Sequence, residues 1–136
     1  MDSTFALAHN RLGLAYEQKG MYREAIAEFR QAVAYSNQHP TALAALAHAF
    51  AVSKERSEAQ KSLYELTKLS ELRYVSPFDV AIVYLGLGGK EQAFRWLDRA
   101  VTRRNYINWL NLDPRLAPLR TDPRYADLMR RVGLPQ

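Results

Sequence analysis

Leu12-Gly13-Leu14-Ala15-Tyr16, then Gly20, then Ala25-Ile26-Ala27-Glu28-Phe29-Arg30-Gln31-Ala32 is the stretch on which the reading of this chain turns. Leu12, Gly13 and Tyr16 stand at i, i+1 and i+4, and Ala25, Phe29 and Ala32 at i, i+4 and i+7, so each segment carries an apolar stripe at helical spacing. Gly20 between them suits the positive φ that closes one helix and turns the chain into the next. The columns recur at a period of 34 residues: Leu12, Leu46, Val80; Gly13, Ala47, Ala81; Tyr16, Phe50, Tyr84; Ala25, Ala59, Ala93; Phe29, Leu63, Leu97; Ala32, Leu66, Ala100. No insertion or gap interrupts them. Small residues fill the columns where paired helices must approach, and large ones fill the space beside them. Gly88 repeats Gly20, but Lys54 stands at the matching place in the second unit, so a mildly strained turn is expected there.

The composition is that of an ordinary folded chain. With 136 residues, 48% hydrophobic and 24% charged, it can bury a core without a disulfide or metal staple. The absence of cysteine removes thiolate nucleophiles, Cys-type zinc sites and redox switches. The start Met1-Asp2-Ser3-Thr4-Phe5 lacks a basic region followed by an apolar one, and no apolar run is long enough to span a bilayer. The expected compartment is the cytoplasm, or the periplasm if a membrane span lies upstream in a parent protein. The net charge of +5 is uneven: residues 1–68 hold 8 basic and 7 acidic side chains, and residues 69–136 hold 11 and 7. All but one of the later cations are arginine, which suits ion pairing and planar stacking as well as phosphate contact.

Residues 108–136 leave the period. Asp113-Pro114-Arg115-Leu116 and Asp122-Pro123-Arg124-Tyr125 each place an Asp cap before a Pro at the first helical position. Pro118 limits the first of these helices to a turn or two, and Tyr125, Leu128, Met129 and Val132 give the second an apolar stripe. A stack of helix pairs must cover its last face, and this segment is the natural cover.

The pattern Leu-Gly-x-x-Tyr followed by Ala-x-x-x-Phe-x-x-Ala resembles the tetratricopeptide repeat, with copies at 6–39, 40–73 and 74–107 and a cap at 108–136. The resemblance implies an all-α fold, a right-handed superhelix of three helix-turn-helix repeats closed by a C-terminal capping helix. It departs from the family pattern where His9 stands for the early Trp and Asn37 for the late Pro. The runs Tyr74-Val75-Ser76-Pro77-Phe78 and Leu85-Gly86-Leu87-Gly88-Gly89, with both Asp-Pro-Arg segments, are also similar to the C-terminal repeat region of bacterial signalling proteins. Those proteins carry an adenylate cyclase, a serine/threonine kinase or a winged-helix regulator upstream.

Little in the chain suggests reaction chemistry. His9, His39 and His48 offer no pair at i, i+3 or i, i+4, so no metal is expected. No nucleophile elbow or phosphate loop is present, and Gly86-Leu87-Gly88-Gly89 lacks the Lys-Ser/Thr such a loop needs. No catalytic residue and no cofactor are assigned.

The resemblance instead implies a groove lined by the first helix of each repeat. Carried over by position, it names Leu7, Asn10, Leu14, Glu17 and Gln18, then Thr41, Ala44, His48, Ala51 and Val52, then Val75, Phe78, Ile82, Leu85 and Gly86. This surface is mostly apolar and implies a protein or peptide partner, a helix, or a second copy of the chain. The carboxylate clamp of chaperone-binding relatives needs Lys, Asn and Arg where Asn10, Leu14, Ala45, Val75 and Asp79 stand, so a chaperone C-terminal peptide is disfavoured. The alternative from another class is nucleic acid or an acidic protein on Arg103, Arg104, Arg130 and Arg131, with Tyr106 and Trp109 as stacking surfaces.

Overall fold

The computed structural model describes residues 3–102 and 113–132. The described elements are six helices in three antiparallel pairs, then a 3₁₀ helix and a last helix: α1 (Ser3–Gln18) with α2 (Tyr22–Tyr35), α3 (Pro40–Val52) with α4 (Arg56–Leu69), α5 (Pro77–Gly86) with α6 (Lys90–Thr102), the 3₁₀ helix Pro114–Leu119, and α7 (Pro123–Val132). No strand occurs among the described residues. The turns within the pairs fall at the three equivalent positions, and all three are left-handed: Gly20 at φ 76°, Lys54 at φ 73° and Gly88 at φ 85°. Lys54 therefore adopts the glycine conformation with a Cβ attached, the strain that its place in the repeat predicts.

Four helices start at an X-Pro step, and in each the side chain before the proline accepts the N–H two residues on. Ser76 Oγ accepts from Phe78 N at 3.2 Å, and Asp113 Oδ1 from Arg115 N at 2.9 Å. At α3 the cap is His39, whose Nδ1 accepts from Thr41 N at 3.2 Å. Asp122 does the same for Arg124 N ahead of α7, at 2.9 Å. A proline at the first helical position loses nothing by lacking its N–H, and the cap satisfies one of the donors left over.

Between paired helices the packing follows the columns. A Cβ on Gly13 would lie 2.6–2.9 Å from the ring of Phe29, so glycine is required for that ring to seat fully buried against α1. The later pairs put Ala47 with Leu63 and Ala81 with Leu97 in the same columns, a larger residue on one helix and a smaller one on its mate. Two contiguous apolar clusters result. One joins Ala25 and Phe29 to Leu46, Ala49 and Phe50, and the other joins α3, α5 and α6 to the C-terminal segment.

The C-terminal segment closes the stack. The 3₁₀ helix lies on α5 and α7 lies on α6. Leu116, Leu119, Tyr125, Leu128 and Met129 are all buried in the cluster that holds Phe78, Ile82, Leu97 and Ala100, with Trp96 packed against it. Of Val132, only its place at the end of α7 lies within the described structure.

Candidate functional site

The sequence predicts an open groove along the first helices α1, α3 and α5, and the structure opens only the first part of it. Leu7 is 49% exposed, with Leu14 and Asn10 half-buried beside it on α1. Further along, Ala44, His48 and Ala51 on α3 and Val75, Phe78, Ile82 and Leu85 at α5 are buried. These side chains share their cluster with Leu116 and Leu119 of the 3₁₀ helix, apart from Ala51, which belongs to the first cluster, and His48. The expectation of a groove open along all three helix pairs is thus corrected: Phe78 and Ile82 are core, because the chain's own C-terminal segment covers them. Pro118 and the Asp113 cap hold that segment in a compact turn that fits against α5.

The covered part of the groove is polar at one margin. Thr41 Oγ1 donates to Asp79 Oδ2 at 2.9 Å, tying α3 to α5. Burial pushes the Asp79 carboxyl up to about 6, against the opposing pull of the Thr41 hydroxyl and Arg115, while Asp113 raises it further. Burial also acts to raise Asp113, but the Arg115 fork, at 3.0 and 2.8 Å, more than offsets it and holds that carboxyl below its ordinary value.

Glu17 and His48, which repeat position assigns to the groove surface, are instead buried and paired. Glu17 Oε1 lies 2.7 Å from His48 Nδ1, bridging α1 and α3. The contact is off the hydrogen-bond direction, so His48 Nδ1 and Glu17 Oε2, like Asn10 Oδ1, are buried without a hydrogen-bond partner among the described residues. The other edge of the His48 ring rests on Gly86, where a Cβ would come within 3.0 Å of both His48 Cδ2 and Ala51 Cβ. His48 is therefore wedged between the first and third helix pairs. Of the groove residues that remain, Thr41, Val52 and Gly86 are half-buried and Gln18 is exposed.

The basic surface also looks different in three dimensions. Arg103, Arg104, Tyr106 and Trp109 lie outside the described residues. Arg130 pairs with Asp127 at 3.0 Å, and Arg131 pairs with Asp98 across the α6–α7 contact. Arg124 bridges Asp122 at 2.9 Å and Glu91 at 2.7 Å and covers the Phe94 ring, 4.3 Å from its centroid. Hydrogen bonds from Arg124 hold the Asp122 carboxyl down at about 2. Arg124 and Arg131 thus fasten α7 to α6, whereas Arg130 pairs within α7 itself.

The other histidines have structural partners. His9 Nδ1 lies 2.6 Å from Glu28 Oε2, with its ring stacked on Tyr35 at 5.5 Å. His39 reads from the sequence as a packed or solvated junction residue, a reading that misses its capping role. The signal is there, since His39-Pro40 stands in the same grammar as Asp113-Pro114. Among the described residues no group of three or more His, Asp or Glu could hold a metal ion, and no helix is long and apolar enough to cross a membrane.

Comparison with known proteins agrees with this architecture. Residues 6–39, the α1–α2 pair, match the tetratricopeptide repeat family. No curated protein and no solved structure matches the chain. The described residues form an all-α stack of helix pairs, consistent with a helical repeat of the kind matched at residues 6–39, and tetratricopeptide repeats generally mediate protein–protein interaction.

Proposed function

We propose that the chain is a non-catalytic interaction scaffold that receives a helix or extended segment of a protein partner on the open strip of α1, at Leu7, Asn10 and Leu14. The observation that carries this reading is the contrast along the groove: Leu7 is 49% exposed, whereas Phe78 and Ile82 are buried with the tail's own Leu116 and Leu119. The similarity of the later sequence to the ends of bacterial signalling proteins supports a regulatory setting, with the partner supplied by the same pathway or the same parent polypeptide.

The test compares proteins retained by the immobilised chain with those retained by Leu7→Asp and by Tyr64→Asp, an exposed control on α4. Leu7→Asp should lose the specific partner by about tenfold or more while keeping its helical circular dichroism, as central apolar contacts dominate such interfaces. If both variants retain the same proteins as the parent, the strip is not the binding surface.

A further inference from the structure

Asp79 is a carboxylate that the C-terminal cover leaves without a counter-ion. It stands in the first turn of α5, the helix on which the 3₁₀ helix lies, and is only 4% exposed. Its side chain accepts one hydrogen bond, from the Thr41 hydroxyl of α3 at 2.9 Å, and it has no ion-pair partner among the described residues. Arg115 of the cover acts on it by charge, but that guanidinium is committed to Asp113 through bonds of 3.0 and 2.8 Å. Asp113 itself repels a second carboxylate. α4 and α6 also pack on α5 and add no charge that acts on Asp79 among the described residues. A buried carboxylate so placed is covered more easily when protonated than when charged.

The segment above it is short and bonds to itself. The 3₁₀ helix Pro114–Leu119 has six residues, and this helix type has poorer hydrogen-bond geometry than an α-helix. Leu116 N donates to Asp113 O and Arg120 N to Ala117 O, both at 3.1 Å, and the Arg115 and Arg120 side chains also donate to Asp113. Leu116 and Leu119 supply its apolar hold on the cluster of Phe78 and Ile82. By contrast, α7 is fastened to α6 by Arg124 with Glu91 and Arg131 with Asp98, so the 3₁₀ helix can lift while α7 stays in place.

We propose that the 3₁₀ helix is a proton-operated cover: a proton on Asp79 seats it on α5, and loss of that proton loosens it and uncovers Phe78 and Ile82. Burial raises the Asp79 pKa from 3.8 to about 6, with Asp113 adding to the rise and Thr41 and Arg115 opposing it. Lifting the cover returns the carboxyl to solvent and toward its ordinary value, so between the two values the open form sheds a proton that the closed form keeps. Seating is therefore strongest in acid and is lost as pH rises through about 6. Asp113, held below its ordinary value, and Arg115 keep their charges through this window, so Asp79 is the member of the group that switches.

The cover lies away from the Leu7–Leu14 strip, and its test needs no partner. Amide hydrogen exchange of the whole chain is followed by NMR at Leu116 and Arg120, whose N–H groups bond inside the cover, with Phe29 and Ala32 of α2 as the reference. Comparing the parent with Asp79→Asn at each pH cancels the intrinsic pH dependence of exchange and the titration of His39. The parent-to-variant ratio of exchange rates at Leu116 and Arg120 should rise by about tenfold from about pH 5 to about pH 7.5 and then level off, as values of 3.8 and about 6 require. Local lifting exposes little surface, so these two amides should be less protected than Phe29 and Ala32 and far less sensitive to about 1 M urea. Thr41→Val removes the hydroxyl that favours the charged carboxylate. Its cover should open further than the parent's above about pH 6, with the gap narrowing in acid, which decides the matter if Asp79→Asn fails to fold. A ratio that stays flat with pH, or a Thr41→Val gap that does not change with pH, would overturn the proposal. So would Leu116 and Arg120 amides as protected and as urea-sensitive as those of Phe29 and Ala32, since the cover would then leave only when the whole chain unfolds.

Discussion

Lys54 holds the backbone at φ 73°, where its equivalents are Gly20 and Gly88. A side chain in this left-handed region costs about 1–2 kcal/mol per residue relative to ordinary helical backbone, and glycine escapes most of that cost. Lys54→Gly should therefore stabilise the chain by about 1 kcal/mol net of the extra freedom glycine has when unfolded, read as a higher urea midpoint at unchanged slope. Gly13 is the converse case, a glycine kept for space. Gly13→Ala should cost about 1–3 kcal/mol by overpacking the Phe29 ring, even though alanine is the better helix former. Adding Phe29→Leu should recover much of that loss, since the double variant reproduces the Ala47–Leu63 and Ala81–Leu97 combinations. If the two substitutions merely add, the columns are not coupled.

At the scale of the element, helix starts decide much of the pH behaviour. His39 caps α3 through Nδ1, and only the neutral ring can accept the Thr41 N–H. Burial first, and the charge of Arg73 second, lower its pKa from 6.5. In the window from that lowered value up to 6.5 the unfolded chain binds the proton that the folded chain refuses, so stability rises with pH there. The contribution is complete above 6.5 and is lost as pH falls through the folded value. His39→Asn keeps an acceptor at the cap and removes the titration. Its thermal midpoint relative to the parent should be steady near pH 7 and improve on going to about pH 5, and a parallel decline of both proteins would rule out the cap as the cause.

Across the whole molecule, the tail joins the helix pairs through apolar burial and beside one destabilised carboxylate. Leu119 is fully buried among residues of α5, α6 and α7, so Leu119→Ala should cost about 2–5 kcal/mol and loosen the cover over Phe78 and Ile82. Asp79 lies below that cover, with its pKa raised from 3.8 to about 6 mainly by burial. Between those two values the folded chain keeps a proton that the unfolded chain has lost. The stability this contributes is full below the unfolded value and is lost as pH rises through about 6. Asp79→Asn retains an oxygen for Thr41 and removes the charge. Each pH unit separating the folded from the unfolded value corresponds to about 1.4 kcal/mol, so the variant should be more stable at about pH 7.5 by up to about 3 kcal/mol. At about pH 3.5 its stability should match that of the parent closely. A denaturation series in which the two proteins differ equally at both pH values would show that the charge is not the cause.

The sequence alone determined the features that repeat: the helix breaks near residues 20, 54 and 88, the Asp113 and Asp122 caps, and the small and large columns of the paired helices. These are set by neighbours three, four or 34 positions away, and periodicity records such neighbours directly. What a column residue faces at the ends of the stack is not set that way. Leu12 and Leu46 occupy one column, yet Leu12 is exposed and Leu46 buried, because Leu46 packs in one cluster with Ala25 and Phe29 of the preceding helix pair. Phe78 and Ile82 read as groove residues because position within the repeat says nothing of a tail that folds back over them. Glu17 and His48 read as surface polar groups for the same reason, since their 2.7 Å approach spans two helix pairs. The local helix code was written in the chain, whereas the open and closed faces of the stack were decided by which segments had the length and shape to reach and cover them.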